Sequence, residues 1–289
     1  INAMAMGSGA TLGGYSTNSI AFGVGANVNS AAGDLSNDAI ALGTNATAKG
    51  NSTIAIGNTS TANKTNAMAM GLNSVASGMN ASALGVGAQA TSTCATAIGY
   101  NAVATDMYTT AVGPNAKATG VLSTAMGNNT TASGRAAVAL GTGASGLGES
   151  SIAAGLLANA SGGNATAIGR GSVASSDAIA MGTSANASGL NATAIGRGSV
   201  ASSQSAIAMG VSANASGANA TAIGQNAVAS DTSAIAIGDE AKVLTYNSIA
   251  LGKQAITTGV SSIVIGNKAN SNATYATSIG YSAKSSGDY

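Results

Sequence analysis

Asn164-Ala-Thr-Ala-Ile-Gly-Arg-Gly-Ser-Val-Ala-Ser-Ser176 is followed by Asp177-Ala-Ile-Ala-Met-Gly-Thr-Ser-Ala-Asn-Ala-Ser-Gly-Leu190, after which residues 191–203 repeat residues 164–176 unchanged. Aligned on Gly169, Gly182 and Gly196, the blocks share one phrase: a small residue, a large apolar one, then glycine. The phrase continues in both directions. It places marker glycines at Gly7, Gly23, Gly43, Gly57, Gly71, Gly85, Gly99, Gly113, Gly127, Gly141, Gly155, Gly169, Gly182, Gly196, Gly210, Gly224, Gly238, Gly252, Gly266 and Gly280. From Gly43 onward the step is 14 residues, with one step of 13 between Gly169 and Gly182. A fixed short period means one structural unit stacked many times.

The residue before the marker glycine is Ile, Met, Leu, Val or Phe everywhere except at Ala154. The residue before that is Ala, apart from Val264 and Ser278. One step further back, large and small residues alternate: Ile179, Thr193, Ile207, Thr221, Ile235. Successive strand residues point to opposite faces, so this first strand carries large side chains on one face and Ala on the other. Neither face is strongly polar, as in a strand buried on both sides. A second strand follows, with Ala flanking a mostly polar residue, as in Ala46-Thr47-Ala48, Ala116-Lys117-Ala118 and Ala185-Asn186-Ala187. It reads as small-in, polar-out. It often ends in another glycine, as at Gly50, Gly78, Gly120, Gly189 and Gly217, which is expected to supply the backbone angles of a tight corner.

Each 14-residue unit therefore predicts two short strands and two turns, a flattened coil. Apolar spacing of two, with abundant Gly, Ser, Thr and Asn, argues against helices. The fold expected is all-β: a parallel β-solenoid of about 20 coils, on the order of 95 Å long at strand spacing. An apolar face open along such a stack exceeds what a soluble monomer tolerates, so an obligate homo-oligomer with closed symmetry is expected. Whether the Ile/Met/Leu face fills the lumen or the subunit seam stays open at this point. Complementarity with the Ala of the second strand favours the lumen.

Composition narrows the function. Charged residues make up 7% and aromatics 3% of the 289 residues, yet 45% are hydrophobic and the net charge is +1. That balance, with strictly placed apolar residues, argues for order over disorder. The ten Lys and Arg are scattered singly, so no basic stripe neutralises phosphates and nucleic-acid binding is not expected. With no His and one Cys, neither a general base of the usual kind nor a multi-thiolate metal site is expected. No enzyme activity, cofactor or metal is predicted. No apolar run of about 18 residues suggests a membrane-spanning helix, and no signal segment opens the chain. Residue 1 already lies inside a repeat, Met4-Ala5-Met6-Gly7, so a piece excised from a longer protein is expected.

The strings Asn247-Ser-Ile-Ala-Leu-Gly252 and Asn18-Ser-Ile-Ala-Phe-Gly23 resemble the Asn-Ser-Val-Ala-Ile-Gly head repeat of trimeric autotransporter adhesins, the YadA-like family. The resemblance runs from residue 4 to residue 287 in twenty in-phase copies. It implies a left-handed parallel β-roll, assembled as a homotrimer into a head on the outer membrane of a Gram-negative bacterium. Such heads bind matrix proteins (collagen, fibronectin, laminin) or epithelial receptors, and promote autoagglutination. The family's stalk, neck and membrane anchor are not in this stretch, so residues 1–289 read as one repetitive head domain. Two departures stand out. The 20-residue step from Gly23 to Gly43 predicts a loop insertion at 30–38, and Ala154 beside the glycine-rich 141–148 predicts an irregular coil over 141–163. The exact duplication of 164–176 suits a surface antigen that varies in length.

Candidate contact residues lie on the outward position of the second strand. Val75, Val103, Val173, Val200, Val228 and Ile256 occupy it, the last four at steps of 27, 28 and 28 residues. An aliphatic group on alternate coils, about every 9.6 Å, would form a docking stripe for an extended partner; duplication history and β-propensity are the plainer explanation. Arg170 and Arg197 follow the marker glycine, as does Lys253, and would ring an oligomer with positive charge or serve as ordinary solvated turn charges. Asp239 and Glu240 beside Lys242 read as a surface pair. Cys94 sits where other repeats carry Asn, and reads as a small inert residue or a reactive thiol. The Asn-x-Ser/Thr triplets, such as Asn164-Ala-Thr166, read as turn residues. Gly169-Arg-Gly171 lacks the strand–helix setting of a phosphate loop. The main rival is an ice-binding β-solenoid, which needs a flat, regular Thr array; here Thr47, Gln89, Lys117, Asn186 and Val200 share the position. A trimeric β-helix acyltransferase would need six-residue steps and usually a catalytic His.

Overall fold

A computed structural model describes residues 2–14, 16–29 and 36–287. These residues contain forty short strands and no helix. Three-residue strands end at the marker glycines, and two-residue strands follow them, giving the parallel β-solenoid of about 20 turns that the glycine period predicts.

The chain divides into two units, residues 1–144 and 145–289. In the first, three-residue strands run from Met4–Met6 to Val138–Leu140 and two-residue strands from Thr11–Leu12 to Thr131–Ala132. In the second, they run from Ile152–Ala154 to Thr277–Ile279 and from Ser145–Gly146 to Lys284–Ser285. Within each unit, every strand pairs in parallel with its equivalent one coil on. Ile40, Ala41 and Leu42 oppose Ile54, Ala55 and Ile56; Thr193, Ala194 and Ile195 oppose Ile207, Ala208 and Met209. The ladder continues through the corners: Gly57 N–H donates to the Leu42 carbonyl and Gly224 N–H to that of Met209, both at 2.8 Å.

The two irregular steps leave this register intact. Val173 still opposes Asn186 across the 13-residue step, because the residue is lost from the corner at 175–178, where Asp177 takes the left-handed position with φ 54°. Across the 20-residue step, Asn27 opposes Thr47 and Ile20 opposes Ile40. Of the insertion expected at 30–38, residues 30–35 lie outside the described residues. Ser36–Asp38 form an ordinary corner, in which Asp38 N–H donates to the Thr17 carbonyl at 2.9 Å. Over 145–163 the backbone keeps the common pattern, with Ile152–Ala154 in register against Thr166–Ile168; its departure lies in the side chains.

The marker glycines are required twice over. Gly71 and Gly210 have φ near +136°, and a Cβ on either would stand 2.4 Å from the carbonyl oxygen of the equivalent glycine one coil on. The second glycines serve a different purpose from the one expected. Gly50 has positive φ, but Gly78, Gly120, Gly189 and Gly217 do not; at Gly78 a Cβ would lie 1.9 Å from the Ser92 carbonyl oxygen. They permit close approach rather than an unusual backbone angle. The left-handed corners fall instead on residues such as Asn66, Asn80, Asn191 and Asn219, the type that tolerates this region best after glycine.

Candidate functional site

Each coil turns four residues inward: those four and two before the marker glycine, and those three and five after it. All are small. Ala41, Ala83 and Ala125 in the first unit, and Ala167, Ala208 and Ala250 in the second, are fully buried. Where Ser replaces Ala the hydroxyl is satisfied locally in several coils, Ser60 donating to the Gly57 carbonyl at 3.0 Å and Ser199 to that of Gly196 at 2.9 Å, whereas Ser123, Ser151 and Ser278 have no partner among the described residues. The largest fully buried side chains are Val28, Val243 and Val264. A lumen this thin has no room for a whole face of Ile, Met and Leu; Leu12, in the terminal coil, is the single large inward residue and is only half-buried.

The expectation that the large apolar face fills the lumen is therefore overturned. That face points out of the roll. Phe22 is 41%, Met126 45% and Met181 40% exposed. Residues three before the glycine flank them on the same surface, Ile20 and Ile179 among them, and Val24, Leu72, Tyr100 and Leu156 extend it past the glycine. Within each unit a band of uncovered aliphatic and thioether side chains crosses coil after coil. A contiguous apolar band of this kind is unusual on a soluble monomer.

The second strand carries the other candidate surface. Val173, Val200, Val228 and Ile256 are half-buried at its outward position, next to Ala174, Ala201, Ala229 and Thr257, which are fully buried. Register interleaves them with polar partners: Asn159 opposes Val173, Val173 opposes Asn186, Asn186 opposes Val200, and Asn214 stands between Val200 and Val228. The side-chain oxygens of Asn159, Asn186 and Asn214 are buried and accept no hydrogen bond from the described residues. Sequence reading singled out the valines and passed over these asparagines, although the 27/28-residue spacing contained them. Val75 and Val103 hold the same outward position in the first unit, with Gln89 between them. Arg170 and Arg197 are exposed at the opposite corner, just past the marker glycine, and are not brought onto the Val–Asn ladder.

One smaller reading changes. Asp239 pairs with Lys253 in the next coil at 3.2 Å rather than with Lys242, and Gln254 donates to Glu240 at 2.8 Å. Exposed on both sides, the ion pair contributes little. Cys94 is half-buried in a left-handed corner and accepts a 3.9 Å hydrogen bond from the Asn80 amide.

The family described as YadA head domain repeat (2 copies) matches residues 36–60, 62–88, 90–116, 118–144, 147–172, 175–199, 201–227, 215–241, 229–255, 246–269, 258–283 and 271–289. The chain belongs to this family, one of adhesin-type head repeats and not of enzymes. No curated protein matches the chain.

Proposed function

We propose that this chain is the head of a trimeric autotransporter adhesin: three left-handed rolls pack their large apolar faces around a common axis, displayed at the outer membrane of a Gram-negative bacterium. One observation carries the reading. In a chain of this family the Ala lumen is complete without the Ile/Met/Leu band, which is left uncovered and repeats at one height per coil. Closed cyclic symmetry hides an identical band on each subunit without leaving an edge.

Attachment then falls to the surfaces facing away from the seam. The Val173–Val200–Val228–Ile256 ladder, with Asn186, Asn214 and Lys242 between its members, is proposed to engage host matrix proteins (collagen, fibronectin or laminin) or epithelial receptors through many weak, repeated contacts whose avidity rises with valency. Arg170 and Arg197, at the rim of the apolar band, are proposed to add charged contacts. Head-to-head contact between cells would give autoagglutination. Solid-phase binding of the purified chain to these proteins tests the reading. The triple substitution Val173→Thr, Val200→Thr and Val228→Thr is expected to reduce binding at least tenfold while the fold is kept. Unchanged binding would remove the ladder from the site. Thermal hysteresis measured on the same sample separates this reading from ice binding, which the mixed Thr, Gln, Lys and Val ladder of the first unit does not favour.

A further inference from the structure

Ala154 is the one small residue before a marker glycine in twenty coils, and Leu157 is the one apolar residue two after it; everywhere else that second position holds Gly, Asn, Ser, Thr, Gln, Glu or Lys. Both exceptions fall in the same coil. The large group missing from the apolar band is thus replaced, at the same height, by one at the adjoining corner.

The replacement is not buried within the chain. Leu157 is 61% exposed and Leu156 45% exposed, so much of each side chain faces solvent rather than covering the chain's own surface. The residue equivalent to Leu157 in the next coil is Gly171, which offers no side chain to cover it. Leu157 also holds a left-handed backbone, φ 57°, which a branched side chain adopts at a cost that Asn or Gly avoids. An exposed, strained leucine beside a notch calls for an occupant outside the chain.

We propose that Leu157 of one subunit fills the notch over Ala154 of its neighbour, forming a knob-and-hole lock that sets the axial register of the assembly. The proposal rests on the trimer reading above. Cyclic symmetry brings equal coils to equal heights, so a knob and a hole in the same coil meet only when subunits are level. Over residues 152–235 the apolar face alternates Ile and Thr every two coils (Ile179, Thr193, Ile207, Thr221), so that stretch by itself does not distinguish slips of two coils, and a lock in the same stretch adds to what the consecutive Ile235, Ile249 and Ile263 specify.

The test is a double-mutant cycle on the full chain, read as the heat stability of the native oligomer. Ala154→Ile fills the hole and Leu157→Asn removes the knob. Each alone is expected to lower oligomer stability, and the double variant, which restores a regular coil, to recover it. Without a lock, Leu157→Asn relieves backbone strain and stabilises, and the two effects add; that result overturns the proposal. A second measurement does not depend on these variants. In a Cys94→Ala background, chains carrying Ala154→Cys and Leu157→Cys are co-expressed and treated with a short bismaleimide. Covalent dimers in the mixed sample, absent from either variant expressed alone, are expected. Their absence from a mixed oligomer contradicts the lock, whereas an unmutated chain that sediments as a monomer removes the trimer reading itself.

Discussion

Over residues 47–131 of the first unit the outward position of the short strands runs Thr47, Thr61, Val75, Gln89, Val103, Lys117, Thr131, while over 159–228 of the second it runs Asn159, Val173, Asn186, Val200, Asn214, Val228. Beside these unlike ladders the inward neighbours scarcely change: Ala48, Ala62, Ala76 and Ala90 in one unit, Ala160, Ala174, Ala187 and Ala201 in the other, all fully buried. Both units nevertheless pair their strands in the same register. The backbone is therefore specified by the small lumen and the stacked glycines, and the outward positions are free to differ. A fold specified from within leaves its exterior available for recognition.

Substitutions at four depths should break or sharpen that contrast. The largest effect is expected at the shared frame. Gly71→Ala and Gly210→Ala place a methyl 2.4 Å from a backbone oxygen, at a φ that alanine resists, and each should destabilise its unit by about 3 kcal/mol or more. Thermal unfolding reads this, and a loss confined to one of the two variants would show that the frame is not shared. Next is the lumen. Ala97→Leu and Ala222→Leu overfill a space walled by other alanines and should each cost about 1–3 kcal/mol. A neutral result would mean the lumen is looser than its burial indicates.

Smaller effects belong to the ladders, and there the units should diverge. Asn186→Val removes a buried amide oxygen that has no partner in the described residues and extends the valine column, so a gain of about 1 kcal/mol is expected. Lys117→Thr in the first unit exchanges one exposed ladder residue for another of the kind already present at Thr131, and should change stability by less than about 0.5 kcal/mol. Equal responses to these two substitutions would erase the distinction drawn between the ladders.

Much of this was legible before any coordinates. Period two identified both strands, and the glycine spacing placed their ends. The direction in which the first strand faces was not legible. Alternation says which residues share a face, but a face of Ala and a face of Ile can each be turned inward, and the choice reverses every side chain at once. What decides it is the width of the roll. The other inward positions, such as Ser19, Thr53, Ser60 and Ser74, are also small, and a lumen lined by them on every side accepts Ala, or at most Ser278 and Val264, from the first strand. That signal was present in the sequence but needed all four inward positions read together. The Asp239–Lys253 pair shows a second limit: neighbours along the chain suggested Lys242, whereas stacking makes the residue fourteen positions on the nearer partner.

The central claim is that the outward Ile/Met/Leu band is a seam between copies of this chain. Sedimentation equilibrium of the unmutated protein tests it most directly. The account predicts a single species of three times the 27.0 kDa chain mass, persisting on dilution to low micromolar concentration. A folded, soluble monomer, with Phe22, Met126 and Met181 open to water, would contradict it.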